Sequence, residues 1–109
     1  MRVLVVGSGA REHALTWTLS RSAGADEVFV APGNPGMGGV AQCVPIAADA
    51  IVELAEFAAS LHIDLTVVGP ELPLVLGIAD EFERRGLALV GPSRAAAELE
   101  GSKAFAKDF

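Results

Sequence analysis

Val3-Leu4-Val5-Val6 is a continuous apolar run, and Gly7-Ser8-Gly9 stops it. An apolar run without polar alternation predicts a strand buried on both faces, as in a parallel sheet. Arg11 to Ser22 then reads as a helix, with Leu15 and Leu19 one turn apart and Gly24 closing it. Glu27 to Val30 is a second strand. The stretch Ala31 to Gly39 holds four glycines and two prolines in nine residues, which excludes a regular element. Gln42 to Ile46 predicts a short strand, with Pro45 marking an edge or an end.

Asp49 is placed to cap a helix running to about Leu61. Ile51, Leu54, Ala55 and Ala58 recur at helical spacing and form one apolar face, which Leu61 continues. Ile63 to Val68 predicts another buried strand, broken by Gly69-Pro70-Glu71. Pro73 suits the first turn of a further helix, whose stripe is Val75, Ile78, Ala79 and Phe82. Asp80 with Arg84 and Glu81 with Arg85 stand four apart on its polar side, and Gly86 ends it. Leu87 to Val90 is the last strand. Gly91-Pro92 stops it, and Ser93 is placed to cap a short helix to about Leu99.

Strands alternating with amphipathic helices predict right-handed crossovers and a parallel sheet covered on both faces. The expected fold is a doubly wound, Rossmann-like α/β domain. Its 109 residues suit one domain, and 51% hydrophobic content is enough to fill its core. With 14 acidic and 8 basic residues, the net charge is −6. That balance lacks the basic footprint of nucleic-acid binding. It leaves a small anionic ligand open, because backbone N–H groups bind phosphate without net positive charge. The single cysteine, Cys43, allows no internal disulfide and fits a reducing compartment, where it reads as a small apolar residue entering a strand. No apolar stretch approaches membrane-spanning length. A cytoplasmic protein without nucleic-acid or membrane partners is expected.

Ligands of parallel α/β sheets bind beyond the carboxyl ends of the strands. Four glycine-bearing segments fall there: Gly7 to Glu12, Pro32 to Gly39, Gly69 to Glu71 and Gly91 to Ser93. In the first, Gly7 and Gly9 let the backbone turn sharply toward an anion at a helix N-terminus. Arg11 is poorly placed for the helix dipole, which favours a role as a phosphate partner. The segment departs from the dinucleotide fingerprint, because Glu12 holds the third glycine position. The acidic residue expected after the second strand is also missing. An NAD(P)-binding domain of an oxidoreductase is therefore the alternative reading. Glu71, directly after a buried strand, is suited to accept hydrogen bonds from a sugar hydroxyl or an amine. His13 and His62 read as structural or surface histidines, and Trp17 as a packed helix residue.

Taken together, four segments resemble one family. Val3 to Leu15, with Gly-Ser-Gly-Ala-Arg-Glu-His at its centre, is similar to the opening of glycinamide ribonucleotide synthetases. Ala31-Pro32-Gly33-Asn34-Pro35-Gly36 resembles their second loop, and Val67 to Leu74 their third. Leu99 to Phe109 resembles the segment leading into their ATP-grasp region. The resemblance implies residues 1–100 as a substrate-binding pre-ATP-grasp domain and 101–109 as the start of an ATP-grasp domain. It implies a purine-biosynthetic ligase that joins glycine to 5-phosphoribosylamine, with ATP and Mg²⁺ bound mainly by domains beyond this chain. Gly7, Gly9, Ala10 and Arg11 would then face phosphoribosylamine. Glu71 would meet its ribose or amine, and Lys103 would contact nucleotide phosphate. No residue here stands as a nucleophile or general base, and the isolated chain is expected to be inactive.

Overall fold

A computed structural model of the chain describes residues 1–22 and 24–91, with Glu71 described in its backbone alone. Five strands form one sheet: β1 (Arg2–Gly7), β2 (Glu27–Pro32), β3 (Gln42–Cys43), β4 (Leu65–Val68) and β5 (Leu89–Val90). Every pairing is parallel, in the order β3-β2-β1-β4-β5. The helices are α1 (Ala10–Ser20), α2 (Ile51–Ser60), α3 (Glu71–Val75) and α4 (Ile78–Arg84), with a single 3-10 turn at Pro35–Met37. This is the expected doubly wound α/β fold. No helix among the described residues is long and apolar enough to cross a membrane.

The unbroken apolar runs are explained by two cores, one on each face. Leu4, Val6, Phe29, Ala31 and Val68 point to one face, where Leu54, Ala55 and Ala58 of α2 meet Ile78 and Phe82 of α4. Val3, Val5, Val28, Val30 and Val67 point to the other, against Leu19 of α1 and Met37 of the second loop. Alternate residues of β1 thus serve opposite cores, and Val3 to Val6 are all fully buried. Phe57 of α2 meets Phe29 edge to face, with centroids 5.6 Å apart.

Several boundaries differ from the sequence expectation. Asp49 does not cap α2: the N-cap is Ala50, without a side-chain cap bond, and Asp49 offers only its carbonyl, to Ile51 N–H. The expected helix from Pro73 to Gly86 is two helices. Gly77, at φ 94°, takes a left-handed conformation between them and re-aims the chain. Ile78 and Phe82 are buried as the stripe requires, but Val75, before the break, is 80% exposed. Asp80 does not pair with Arg84; Glu81 takes both Arg84 and Arg85. The Arg85 hydrogen bond, with the charges of both arginines, holds the Glu81 carboxyl below its ordinary range. β3 stops at Cys43 rather than Ile46. Val44 N–H still bonds Val30 at 2.8 Å, but Ile46 N–H turns back to the Val44 carbonyl around Pro45. Trp17 is half exposed, with the Arg21 guanidinium 4.9 Å from its ring centroid, rather than packed in the core. Cys43 does lie in a strand, but exposed at the sheet edge.

Candidate substrate site

The parallel register brings the loop-bearing strand ends together. Gly7 stands opposite Pro32, Val6 opposite Val68, and Val67 opposite Val90. The glycine loops after β1, β2 and β4 therefore leave from one edge of the sheet, joined there by Gly91 after β5. Backbone bonds link the loops at their roots: Gly33 N–H donates to the Gly7 carbonyl at 3.0 Å, and Gly69 N–H to the Val6 carbonyl at 3.1 Å.

Side chains then cross between the loops. The Arg11 guanidinium donates to the Gly69 carbonyl at 3.0 Å, tying the first loop to the third. The Asn34 amide donates to the Ser8 carbonyl at 2.7 Å, tying the second to the first. The Asn34 carbonyl oxygen also accepts from Gly36 N–H at 2.9 Å, an Asx turn that shapes the second loop. Met37 anchors that loop in the core, fully buried. His13, half-buried on α1, stands beside Gly36, where a Cβ would come within 3.4 Å of its Cε1.

The expected site residues fall as follows. Gly7 ends β1 at φ 141°, and Gly9 is the N-cap of α1. Ala10 and Arg11 open α1 with exposed side chains. Glu71 is the first residue of α3, directly after the Gly69-Pro70 turn. These five positions share the edge. Lys103, the helix expected after Ser93 and the one expected from Gly101 lie outside the described residues. Gly9 N–H donates to the Glu12 carboxylate at 3.2 Å. It is therefore already engaged inside the protein.

Two further residues shape this edge, and the sequence pattern marks neither as a site residue. Glu12 is 8% exposed and lies among Gly7, Gly9 and Gly69. Its signal was its place three residues after a glycine N-cap, where a glutamate reaches back to the cap N–H. Asn34 had the signal of an Asx turn, an asparagine before Pro-Gly. Among the described residues, no group of three or more His, Cys, Asp or Glu side chains is placed to hold a metal ion.

The opposite edge is different. Met1, Arg2, Asp26, Glu27, His62 and Asp64 line an open depression of about 400 Å³. Two ion pairs form within it, and Asp64 accepts the Arg2 backbone N–H at 2.7 Å. The N-terminal amine meets Asp26 at 2.5 Å, and Arg2 meets Glu27 at 3.0 Å. The hydrogen bond from the amine, with its charge, holds the Asp26 carboxyl below its ordinary range.

Residues 1–100 match the family model described as phosphoribosylglycinamide synthetase, N domain. A phosphoribosylamine–glycine ligase from Caldanaerobacter subterraneus is 57% identical over 107 residues, covering 98% of this chain and 26% of that protein. One from Pseudomonas putida is 53% identical over 111 residues, covering all of this chain and 26% of its own length. A crystal structure of a phosphoribosylamine–glycine ligase from Thermotoga maritima matches with a TM-score of 0.48 and 28% identity, over 66% of this chain and 16% of that one. The chain thus spans about a quarter of the length of the curated relatives it matches. The alternative of a nicotinamide-binding domain finds no support among these matches, and Glu12 fills the place its third glycine would need. With its parallel sheet, its loops gathered at one edge and its match over residues 1–100, the chain belongs to the phosphoribosylglycinamide synthetase N-domain family.

Proposed function

We propose that this chain is the substrate-binding N domain of a phosphoribosylamine–glycine ligase, and that its glycine-loop edge receives 5-phosphoribosylamine. The observation that carries this reading is the cross-linking of the first, second and third loops by Arg11 and Asn34 at the carboxyl edge of the sheet. A ligand that spans a phosphate, a sugar and an amine needs several loops held at fixed separations. In this reading Gly7, Gly9, Ala10 and Arg11 form the phosphate side. With Gly9 N–H engaged by Glu12, the phosphate contact falls to the backbone of Ala10 and Arg11 and to the Arg11 guanidinium. Glu71 accepts hydrogen bonds from the amine or the ribose hydroxyls.

The reaction joins the amine to the glycine carboxyl group. ATP phosphorylates glycine to an acyl phosphate with release of ADP. The amine lone pair then attacks the acyl carbon, the C–N bond forms as the C–O bond to phosphate breaks, and the amine's proton leaves with the phosphate. The domain contributes positioning of the amine and charge complementarity, since no nucleophile of its own is needed. ATP and Mg²⁺ belong to domains beyond residues 1–100, with Lys103 as a nucleotide-phosphate contact at the start of an ATP-grasp domain. The described residues offer Mg²⁺ no cluster of ligands, so no step is assigned to a metal here. A cytoplasmic setting suits the single cysteine. The partners are small molecules.

The test uses a ligase of the relatives' full length that carries this domain. Glu71→Gln keeps the shape and removes the charge. Loss of a charge-assisted bond should weaken phosphoribosylamine binding by about 1.5–3 kcal/mol, read as a raised KM for that substrate. The KM for ATP should stay unchanged. A raised KM for ATP alone would remove Glu71 from the phosphoribosylamine site.

A further inference from the structure

We propose that Glu12 is a positioning residue for the sugar-phosphate site: its buried side chain is the spacer that sets the separation of the first loop from the Gly69–Glu71 turn. This rests on the reading that the glycine-loop edge receives phosphoribosylamine.

The observations are steric and polar together. Glu12 is 8% exposed, although a carboxylate is costly to remove from water. It accepts one bond from Gly9 N–H at 3.2 Å, which caps the start of α1. Capping alone does not account for its place. An exposed glutamate at the same helix position caps equally well, and Gly9 has no side chain to return the bond. The Glu12 side chain instead lies between two strand ends. A Cβ on Gly7 would stand 2.4 Å from its Oε1, and a Cβ on Gly69 would stand 2.5 Å from its Cδ and Cγ.

Gly69 is the more telling of the two. Gly7 has a φ of 141°, which by itself favours glycine. Gly69 has no such backbone demand, so the space taken by Glu12 is what excludes a side chain there. The fold thus keeps a glycine on β4's end to admit a glutamate from α1. Arg11, the preceding residue, donates to the Gly69 carbonyl at 3.0 Å. The two successive side chains hold one point of the third loop from two directions, one by contact and one by hydrogen bond. Thr16, also buried, donates to the Glu12 carbonyl at 2.6 Å and fixes the backbone beneath it. Two residues beyond Gly69 the chain reaches Glu71. The length of the Glu12 side chain therefore sets where Glu71 stands relative to Gly9, Ala10 and Arg11.

A spacer is tested by its length. In the full-length ligase carrying this domain, Glu12→Asp removes one methylene and keeps the charge. It should raise the KM for phosphoribosylamine roughly 10- to 100-fold, since displacements near 1 Å at a positioning contact have effects of that order. The KM values for ATP and glycine should stay within about twofold. Glu12→Gln, which keeps length and acceptor, should restore the phosphoribosylamine KM to near its starting value. An aspartate variant with an unchanged KM for phosphoribosylamine overturns the proposal. So does a rise in all three KM values alike, which marks general loosening. Equal damage from glutamine assigns the effect to charge and overturns the spacer role.

A second measurement is independent of substrate. In the 109-residue chain, Gly69→Ala should lower Tm strongly when Glu12 is present and much less in a Glu12→Ala background. Equal losses in both backgrounds would show that Glu12 simply moves aside, and would overturn the proposal. Full-length ligase with native Glu12 and Glu71 that shows no phosphoribosylamine-dependent turnover overturns the function reading instead, while the Gly69 comparison still decides the geometry.

Discussion

Thr66 is 1% exposed on β4, and its hydroxyl has no hydrogen-bond partner among the described residues. Its backbone N–H is satisfied by the Ala88 carbonyl at 3.1 Å, so the orphan is the side chain alone. A buried hydroxyl without a partner loses its hydration and receives nothing in return. Thr66→Val has nearly the same shape and should raise stability by about 1 kcal/mol, measured by denaturant unfolding at constant m. A drop in stability would show that the hydroxyl is satisfied after all. The same scale explains what could not be read from the chain. Arg11 and Glu71 draw notice in the sequence as charges beside glycine turns at strand ends, and both positions stand at the carboxyl edge of the sheet. In the sequence Glu12 reads only as a missing glycine. Its burial depends on Gly69, and no local pattern announces that contact. Asn34 stands inside a legible Pro-Gly-Asn-Pro-Gly motif, but the Ser8 carbonyl it reaches lies on another loop.

At the scale of elements, two strands began two residues later than their apolar runs suggested, and the cause is the same. Ile63 N–H bonds back to the Ala58 carbonyl at 2.9 Å, and Leu87 N–H to the Phe82 carbonyl at 2.8 Å. Both are the outer bonds of Schellman caps, ending α2 and α4. Each apolar residue packs under the helix it has just left, so its hydrophobicity signals a cap contact rather than a strand. The two caps differ in one respect. The left-handed position is Gly86 at φ 71° after α4, but His62 at φ 55° after α2. A side chain in that region is disfavoured by roughly 1–2 kcal/mol, partly offset by glycine's greater loss of freedom on folding. His62→Gly should therefore stabilise the chain by about 0.5–1 kcal/mol. Gly86→Ala should destabilise it by about 1 kcal/mol. An added Cβ on Gly86 meets nothing within 4 Å, so its cost is conformational and not steric. Thermal melts of the two variants check both signs. Destabilisation by His62→Gly would mean that the imidazole contributes more at the amino edge than its backbone costs.

Across the whole molecule, the fold was the most legible property, because buried parallel strands leave unbroken apolar runs that no amphipathic helix imitates. The sheet order was not legible, since β1 sits between β2 and β4 through pairings that only the folded chain defines. That order is what makes one edge a site. β1 carries the first loop, and its neighbours on both sides carry the second and third, so Asn34 and Arg11 can each reach across a single strand spacing. At the other edge the N-terminal amine and Arg2 are taken up in ion pairs with Asp26 and Glu27. Among the described residues, the loops that cross-link one another gather at one face, which on the proposed reading receives one of the three substrates the reaction consumes. Acceleration by positioning requires both reacting groups to be held at near-attack distance. On the proposed reading the edge holds the amine, while the acyl phosphate and its ATP donor are held elsewhere, so it supplies only half of that geometry. The chain spans 26% of the length of its relatives, and the remaining length is where those groups are expected. The isolated 109-residue chain should therefore release no ADP above background when given glycine, ATP, Mg²⁺ and phosphoribosylamine. The full-length ligase with the same domain should do so, with release dependent on both glycine and phosphoribosylamine. A coupled assay for ADP, run on both proteins at equal molar concentration, makes the comparison. Release from the short chain that needed both substrates would place the acyl-phosphate chemistry within these 109 residues and overturn the division of labour proposed for the domain.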